Sequence, residues 1–347
     1  MGPASAAQPV YRHVVDAASL PTDPSTLGRL TCDVSFVSDD SSPPETLVAR
    51  EAERVQRTVP PAVMWDVFQR MRGEYATGGI LPHSSFVTTR VRQALVAAAV
   101  ELPDDQLPPL IDFFDHLNRV MFQHQTIAWL AGGDFRLHLY GRGWEEHSTF
   151  AQFARGVIEG DAMRIAVHRA SRINLAAGAY GAVDQRVIEG VSVGGFFLMR
   201  FCAADLIERF FPPLHAFCDE HRITSNADLS ERASADVRRL MEFASRTLGL
   251  DVLDAWPDFV GALRAADEAG YARSAATVWP QYPSVCFSTR DELIGLVGRY
   301  LYDVPERQRL ADEMRRQLAG RMQQRHVRAG RRTLRDASAG HTPEVAA

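Results

Sequence analysis

The stretch Arg172–Phe201, RINLAAGAYGAVDQRVIEGVSVGGFFLMRF, decides the fold predicted for this chain. It contains two short apolar runs, Ile173–Ala177 and Phe196–Met199. Between them, Asp184–Val191 has the apolar spacing of one amphipathic helix, and a Gly-Gly pair separates this helix from the second run. Two buried strands joined by a short helix indicate a right-handed βαβ crossover in a parallel sheet.

The turn before this helix predicts a binding site. It reads Gly-Ala-Tyr-Gly at 178–181, which is small enough for a ligand to approach the backbone, and the helix then presents Gln185, Arg186 and Glu189 near its start. Backbone amides at a helix start and an arginine suit a diphosphate, while a carboxylate suits the hydroxyls of a ribose.

Further strand and helix patterns alternate along the chain. The fold class predicted is therefore α/β: a Rossmann-like parallel sheet with large helical insertions near 45–131 and 205–280. We expect one domain over 31–335, a tail or linker at 1–30 and a disordered tail at 336–347. The other strand candidates are Asp33–Val37, Phe135–Tyr140 and Ser284–Phe287, and other helices are expected around 148–156, 161–170, 291–303 and 305–335.

Composition excludes several kinds of chemistry. All 38 of the Lys and Arg residues are arginine, so Schiff-base, pyridoxal phosphate and Walker-lysine chemistry is excluded, and phosphate must be bound by arginine, backbone amides or helix termini. The net charge of −5 is mild and indicates no general affinity for nucleic acid. The sequence shows no transmembrane run, signal peptide or CxxC pair, so we expect a cytoplasmic protein with buried thiols.

Five segments, in order, resemble a known family. They are DVSFVS, LYGRGW, IAVHRASRINLAA, YGAVDQRVIEGVSVGGFFLMR and CFSTRDELIGLVGRYLYDVPERQRLA. The series resembles the nucleotide-sugar-binding half of GT-B glycosyltransferases, specifically the spore-maturation CgeB-like group, over about residues 32–200 and 284–335. The resemblance implies transfer of a sugar from a nucleotide-sugar to an acceptor that the sequence does not identify.

The resemblance also assigns roles to residues. The loop after the first strand, starting at Ser38 where the family usually has Gly, would approach the phosphates, and Glu189 would hold the ribose. Arg186 would be the catalytic group that stabilises the leaving diphosphate, without a metal because the chain has no Asp-x-Asp motif. Gly181 stands where related retaining enzymes carry a first carboxylate. The residues implied for donor binding are Ser38, Gly141, Arg142, Trp144, Tyr180, Gly181, Asp184, Gln185 and Glu189.

Each assignment has a structural alternative. Arg142 and Arg186 could be surface arginines paired with acids, Glu189 a solvated helix residue, and Trp144 a core residue instead of a stacking platform for the base. The segment HAFCDEH, with His215, Cys218 and His221, has helical spacing but no obvious fourth metal ligand, so no metal site and no cofactor is predicted. The arginine-rich end at 314–336 is interpreted as the solvated basic face of a helix.

The sequence leaves the kind of function open among three hypotheses. A complete GT-B enzyme places an acceptor-binding domain before this half, and only about thirty residues precede Asp33. The leading hypothesis is thus the donor half of a glycosyltransferase, with a separate chain as the acceptor domain. The alternative is a non-catalytic nucleotide-sugar-binding or interaction module, and a weaker third is a helical interaction protein that uses residues 45–131 as its surface.

Overall fold

The structure of the chain, a computed structural model, is organised around one sheet. Its strands are β1 (Cys32–Asp40), β2 (Leu137–Arg142), β3 (Ser171–Ala176), β4 (Phe197–Arg200) and β5 (Cys286–Phe287). All neighbouring strands pair in parallel, in the order β2-β1-β3-β4-β5. The residues that the structure describes are 24–76, 84–103, 105–178, 185–201, 214–248, 253, 259–261 and 279–320.

Helices connect these strands. The helices are α1 (Pro24–Leu30), α2 (Pro44–Val55), α3 (Pro61–Ala76), α4 (Ser84–Ala97), α5 (Leu107–Ala131), α6 (Asp161–Ala170), α7 (Gln185–Ser192), α8 (Asn226–Arg232), α9 (Ala235–Leu248), α10 (Tyr282–Val285) and α11 (Arg290–Tyr302). Residues 214–220 and 304–320 are helical as well. Among the described residues, no helix is both long enough and apolar enough to cross a bilayer.

The strand order places a topological switch point between β1 and β3. From β1 the chain leaves through α2–α5 to β2 on one side, and it then returns through α6 to β3 on the other side. In parallel sheets of this kind, the connections leave a crevice at the carboxyl ends of the two strands that flank the switch point, and ligands bind there. The fold therefore places a candidate site beyond the ends of β1 and β3.

Two groups of helices cover the sheet. Helix α6 packs against β1, β3, α1 and α7, whereas α5 packs against α2, α3, α4 and α11. Right-handed crossovers place these two groups on opposite faces of the sheet. The insertion between β4 and β5 has a small apolar core of its own, formed by Leu214, Cys218, Ile223, Leu229, Ala233, Val237, Phe259 and Val260.

The structure confirms the predicted α/β class with a parallel sheet and helical insertions. The β3–α7–β4 unit is the βαβ crossover that the stretch at 172–201 predicts. Buried thiols were expected, and Cys32 and Cys218 are buried; burial raises the pKa of the Cys32 thiol to about 11. The thiol of Cys286 is partly exposed, and Cys202 lies outside the described residues.

Two local predictions were wrong. Within the segment expected to be a tail, α1 is a helix that contacts α6. The helix expected around 148–156 is only a 3-10 turn, Ala151–Phe153. Residues 154–156 instead lie along the outer edge of β2, where the amide of Arg155 donates to Leu139 O and Gly156 O accepts from the amide of Gly141. Bonding to β2 therefore replaces the helical turns that the local pattern favoured.

Candidate functional site

A pocket lies at the switch point between β1 and β3, and it is lined by residues within both strands and by Ala177 and Gly178 after β3. Its space is about 390 Å³ when the open solvent at its mouth is included. Apolar side chains of β1, β3, β4 and α7 form much of its wall. The polar residues that line it are Ser35, Gln123, His168, Asn174 and Arg186.

Asn174, in the middle of β3, organises the wall of this pocket. Its Nδ2 donates to the carbonyl oxygens of His168 (3.0 Å) and Phe196 (3.1 Å). Its Oδ1 accepts from Ser35 Oγ (2.9 Å) and lies 3.0 Å from His168 Nδ1. Both N–H donors and both acceptor positions of the Asn174 amide are thus used. Because carbonyl oxygens can only accept, the two carbonyl partners show which side of the amide is the nitrogen.

This amide also fixes the protonation state of His168. Because Asn174 Oδ1 can only accept, Nδ1 of His168 must carry the proton. Burial lowers the pKa of His168 to about 4, so the ring is neutral near pH 7. Its Nε2 then carries a lone pair, and this buried atom has no hydrogen-bond partner in the described part of the chain. The pocket wall therefore contains an imidazole acceptor that the fold leaves unused.

Arg186, the predicted catalytic residue, lies in the first turn of α7 and lines the pocket. Its Nη1 donates to Val37 O at 3.4 Å, and its Nη2 pairs with the carboxylate of Asp39 near the end of β1. The Arg186 side chain is 27% exposed and that of Asp39 is 84% exposed. Arg186 thus lines the pocket and is also paired with a surface acid.

Glu189, the predicted ribose ligand, is buried one turn further along α7. Its Oε2 accepts from Arg164 Nε (3.0 Å) and Nη2 (2.7 Å), and its Oε1 accepts from Gln185 Nε2 (2.7 Å). The carboxylate is therefore not a solvated group, and a ribose hydroxyl would have to replace one of these donors.

The segment predicted to approach the phosphates, which forms the end of β1 and the loop after it, is closed by bonds within the protein. The Ser38 hydroxyl donates to Tyr140 O (3.2 Å) and accepts from Ser41 Oγ (2.8 Å) and Trp144 Nε1 (3.0 Å). The amide of Ser41 donates to Arg142 O (2.8 Å). The Ser38 hydroxyl thus makes all three of its possible hydrogen bonds, one as a donor and two as an acceptor. It has no O–H left to donate to a phosphate.

The glycines of the Gly-Arg-Gly-Trp segment allow β2 to approach this loop closely. Gly141 has φ +131° and Gly143 has φ +87°, and a Cβ at either position would come within 2.5 Å of Ser38 or Ser42 atoms. Trp144 is fully buried and packs edge-on against Phe36, so it exposes no face to a base. These residues hold two loops together, which is a structural role.

Arg142 alone in that segment points to solvent. Partial burial works to raise the pKa of the Asp40 carboxyl, but hydrogen bonds from the amide and hydroxyl of Ser42 outweigh it and lower this pKa. The nearby charges of His116 and Arg142 lower it slightly further. An anion at this edge would therefore meet Asp40 as well as Arg142.

The sequence-predicted residues fall into two groups. Ser38, Gly141, Arg142 and Trp144 lie together where β1 and β2 end, and Gln185, Arg186 and Glu189 lie together on α7. The predicted residues Tyr180, Gly181 and Asp184 are outside the described part of the chain. Sequence reasoning missed the Ser35, His168 and Asn174 cluster, although a polar residue inside the apolar run at 173–177 was a signal.

The other histidines of the described residues lie in several separate places. His124 Nε2 lies 3.1 Å from Ser41 O, below the loop after β1, and its ring centroid is 4.5 Å from that of His147. In the HAFCDEH segment, Cys218 is buried, while His221 stacks on Phe217. Within the described ranges, no group of three or more His, Cys, Asp or Glu residues could hold a metal ion.

The crevice thus offers one arginine at its mouth and one neutral imidazole in its wall. Arginine binds phosphate through two parallel hydrogen bonds, and an imidazole lone pair accepts from a hydroxyl or an N–H group. The site therefore suits a ligand with both an anionic group and neutral donors. Comparison with protein-family models, with curated proteins and with solved structures finds no match to this chain.

Proposed function

We propose that the chain binds a nucleotide-activated sugar between β1 and β3 and acts as the donor half of a metal-independent glycosyltransferase. One observation carries the proposal: Arg186 lines a pocket at the switch point of a parallel sheet, where doubly wound folds bind their ligands. The ordered resemblance of five segments to the donor half of GT-B enzymes supports the same assignment.

The chemistry of transfer explains what Arg186 would do. When the bond between the sugar and the diphosphate breaks, negative charge grows on the diphosphate that leaves. A guanidinium in the first turn of α7 would stabilise that charge together with the amide dipoles of the helix. His168 Nε2 would accept a hydrogen bond from a hydroxyl or base N–H of the donor once the bound ligand reaches the wall.

One observation favours the alternative of a binding module that does not catalyse transfer. The Ser38 hydroxyl and the Ser41 amide, which would be phosphate donors at the end of β1 and in the loop after it, are already bonded to Tyr140 O and Arg142 O. Fewer donors around the diphosphate would give weaker stabilisation of the leaving group. Binding without turnover is the expected behaviour of such a module.

Calorimetric titration with UDP, GDP and their sugars tests the proposal. We expect binding by the wild-type protein, and we expect Arg186→Ala to weaken it about 10- to 100-fold, which corresponds to a lost charge-assisted bond of about 1.5–3 kcal/mol. Arg70→Ala is the matched control because Arg70 makes an exposed pair with Asp66 on α3, far along the chain from the crevice. This control should leave affinity unchanged.

Two outcomes would count against the proposal. Absence of binding to every nucleotide and nucleotide-sugar, with circular dichroism that shows an intact fold, would overturn it. Unchanged nucleotide-sugar affinity in Arg186→Ala would show that the ligand does not bind at Arg186. Release of nucleoside diphosphate from a bound donor, measured by chromatography with water or a sugar as acceptor, then separates transfer from binding alone.

A further inference from the structure

The crevice has an internal anion at its mouth, the carboxylate of Asp39. Asp39 lies near the end of β1 and Arg186 lies in the first turn of α7, so the ion pair joins the two elements that border the pocket. We propose that Asp39 competes with the anionic group of a ligand for Arg186 and thereby determines which anions the crevice binds. This inference rests on the proposed function, because it assigns a specificity residue to the same site.

Exposure makes this pair easy to exchange. Asp39 is 84% exposed, and its carboxylate has no other partner among the described residues. Exposed ion pairs contribute little, since both charges are well solvated when they separate. Asp39 can therefore rotate into water at a small free-energy cost when another anion arrives.

Arg186 itself does not need to move. Its side chain is mostly covered by the wall of the pocket, and Nη1 donates to the carbonyl oxygen of Val37. The guanidinium is thus held at the mouth by β1 even when Asp39 leaves, and Nη2 becomes the donor that the incoming anion uses.

The second carboxylate–arginine pair on α7 behaves differently. Glu189 is only 2% exposed, and its two oxygens accept from Arg164 and Gln185. Removing Arg164 would leave the buried Glu189 carboxylate without a charge partner, which is costly. Of these two pairs, only Arg186–Asp39 is arranged for exchange with a ligand.

The competition has a consequence for ligand class. A singly charged carboxylate ligand gains no more from Arg186 than Asp39 does, whereas a phosphate or diphosphate carries more negative charge and is attracted more strongly. Ligands with a phosphoryl group should therefore displace Asp39, and ligands whose only charge is one carboxylate should not.

Titration with inorganic pyrophosphate tests the inference without a nucleotide. Asp39→Asn keeps the size of the side chain and removes its charge, and we expect affinity for pyrophosphate to rise about two- to fivefold at low salt, the fold-change expected for an exposed pair. The gain should shrink at about 0.5 M salt because screening weakens exposed pairs. Asp39→Asn in an Arg186→Ala background should give no gain.

Asp33→Asn is the matched control. Asp33 lies near the other end of β1 and pairs with Arg172, so its neutralisation removes the same charge away from the crevice and should not change pyrophosphate affinity. An equal gain in both variants, an unchanged affinity in Asp39→Asn, or no pyrophosphate binding by either the wild type or Asp39→Asn would overturn the inference.

The two proposals fail in different ways. Nucleotide-sugar binding by the wild type with no effect of Asp39→Asn on either ligand would reject the competition and leave the proposed function intact. A specific gain in pyrophosphate affinity in Asp39→Asn, with no nucleotide-sugar binding by any variant, would support the competition and reject the proposed function.

Discussion

Replacement of Asn174 by leucine should destabilise the protein strongly, because this one amide is hydrogen-bonded to four polar groups in the sheet. Leucine has a similar size but no polar atom, so the buried position would stay filled. The variant would leave three groups without this partner: the Ser35 hydroxyl and the Nδ1–H and carbonyl of His168. The Phe196 carbonyl would keep the bond that it accepts from the backbone amide of residue 174.

The magnitude follows from that count. Each buried group left without a hydrogen bond costs about 1–3 kcal/mol, and local relaxation keeps the three costs from adding fully. We expect Asn174→Leu to lower the free energy of unfolding by about 3–5 kcal/mol. Domains have about 5–15 kcal/mol in total, so the variant should fold with a much reduced margin.

Urea unfolding followed by circular dichroism measures this loss. The control is Gln93→Leu on the exposed face of α4, which should change the free energy of unfolding by about 0.5 kcal/mol at most. Ser35→Ala adds a second test. The Ser35 hydroxyl donates to Asn174 Oδ1, so its removal should cost stability in the wild type and much less in the Asn174→Leu background, where that acceptor is already gone. A loss below about 1 kcal/mol in Asn174→Leu, or an equal cost of Ser35→Ala in both backgrounds, would refute the reasoning.

Three other predictions concern charge and backbone conformation. Burial lowers the pKa of His168 from 6.5 to about 4, so the unfolded chain takes up this proton first. The part of the stability that depends on neutral His168 should be full above about pH 7 and fall by about 1.4 kcal/mol per unit from pH 6.5 towards 4. Burial also lowers the pKa of His124 to about 3 and that of His138 to about 4, so urea titrations at several pH values should show a total slope steeper than this. Gly143→Ala should lower the free energy of unfolding by about 2 kcal/mol or more, because φ is +87° and the new Cβ would lie 2.4 Å from the backbone nitrogen of Ser42. Gly156 has a similar φ of +81° but open space around it, so Gly156→Ala should cost less in the same urea unfolding measurement. Arg164→Met should cost about 3 kcal/mol by leaving Glu189 buried without its charge partner, and adding Glu189→Gln should recover most of that loss in thermal unfolding.

The sheet could be predicted because its central strands carry local signals. The apolar runs at 173–177 and 196–199, with one helical period between them, are enough to specify a parallel crossover, and the structure has it as β3–α7–β4. Strand β5 has only two residues, and its pairing with Met199 and Arg200 comes from the tertiary fold. The segment at 154–156 was mispredicted for the same reason, since its partner is β2 and not its own neighbours.

The candidate site was only partly predictable. Arg186 could be named because a helix start after a glycine-containing turn is a local pattern. The hydrogen bond between Ser35 and Asn174 joins residues 139 positions apart, and it depends on the register in which β1 and β3 pair. The burial of Trp144 depends on Ser38, 106 positions away, which no periodicity reveals.

The covering of β2 by residues 154–156 has a consequence for solubility. A sheet has two outer strands, and an outer strand with free amides and carbonyls can pair with a strand of another molecule. Here β2 is bonded along its outer side through Leu139 and Gly141, and β5 at the opposite side is only two residues long. Neither outer strand offers a long template for intermolecular pairing, so we expect aggregation to increase when residues 154–156 are detached from β2.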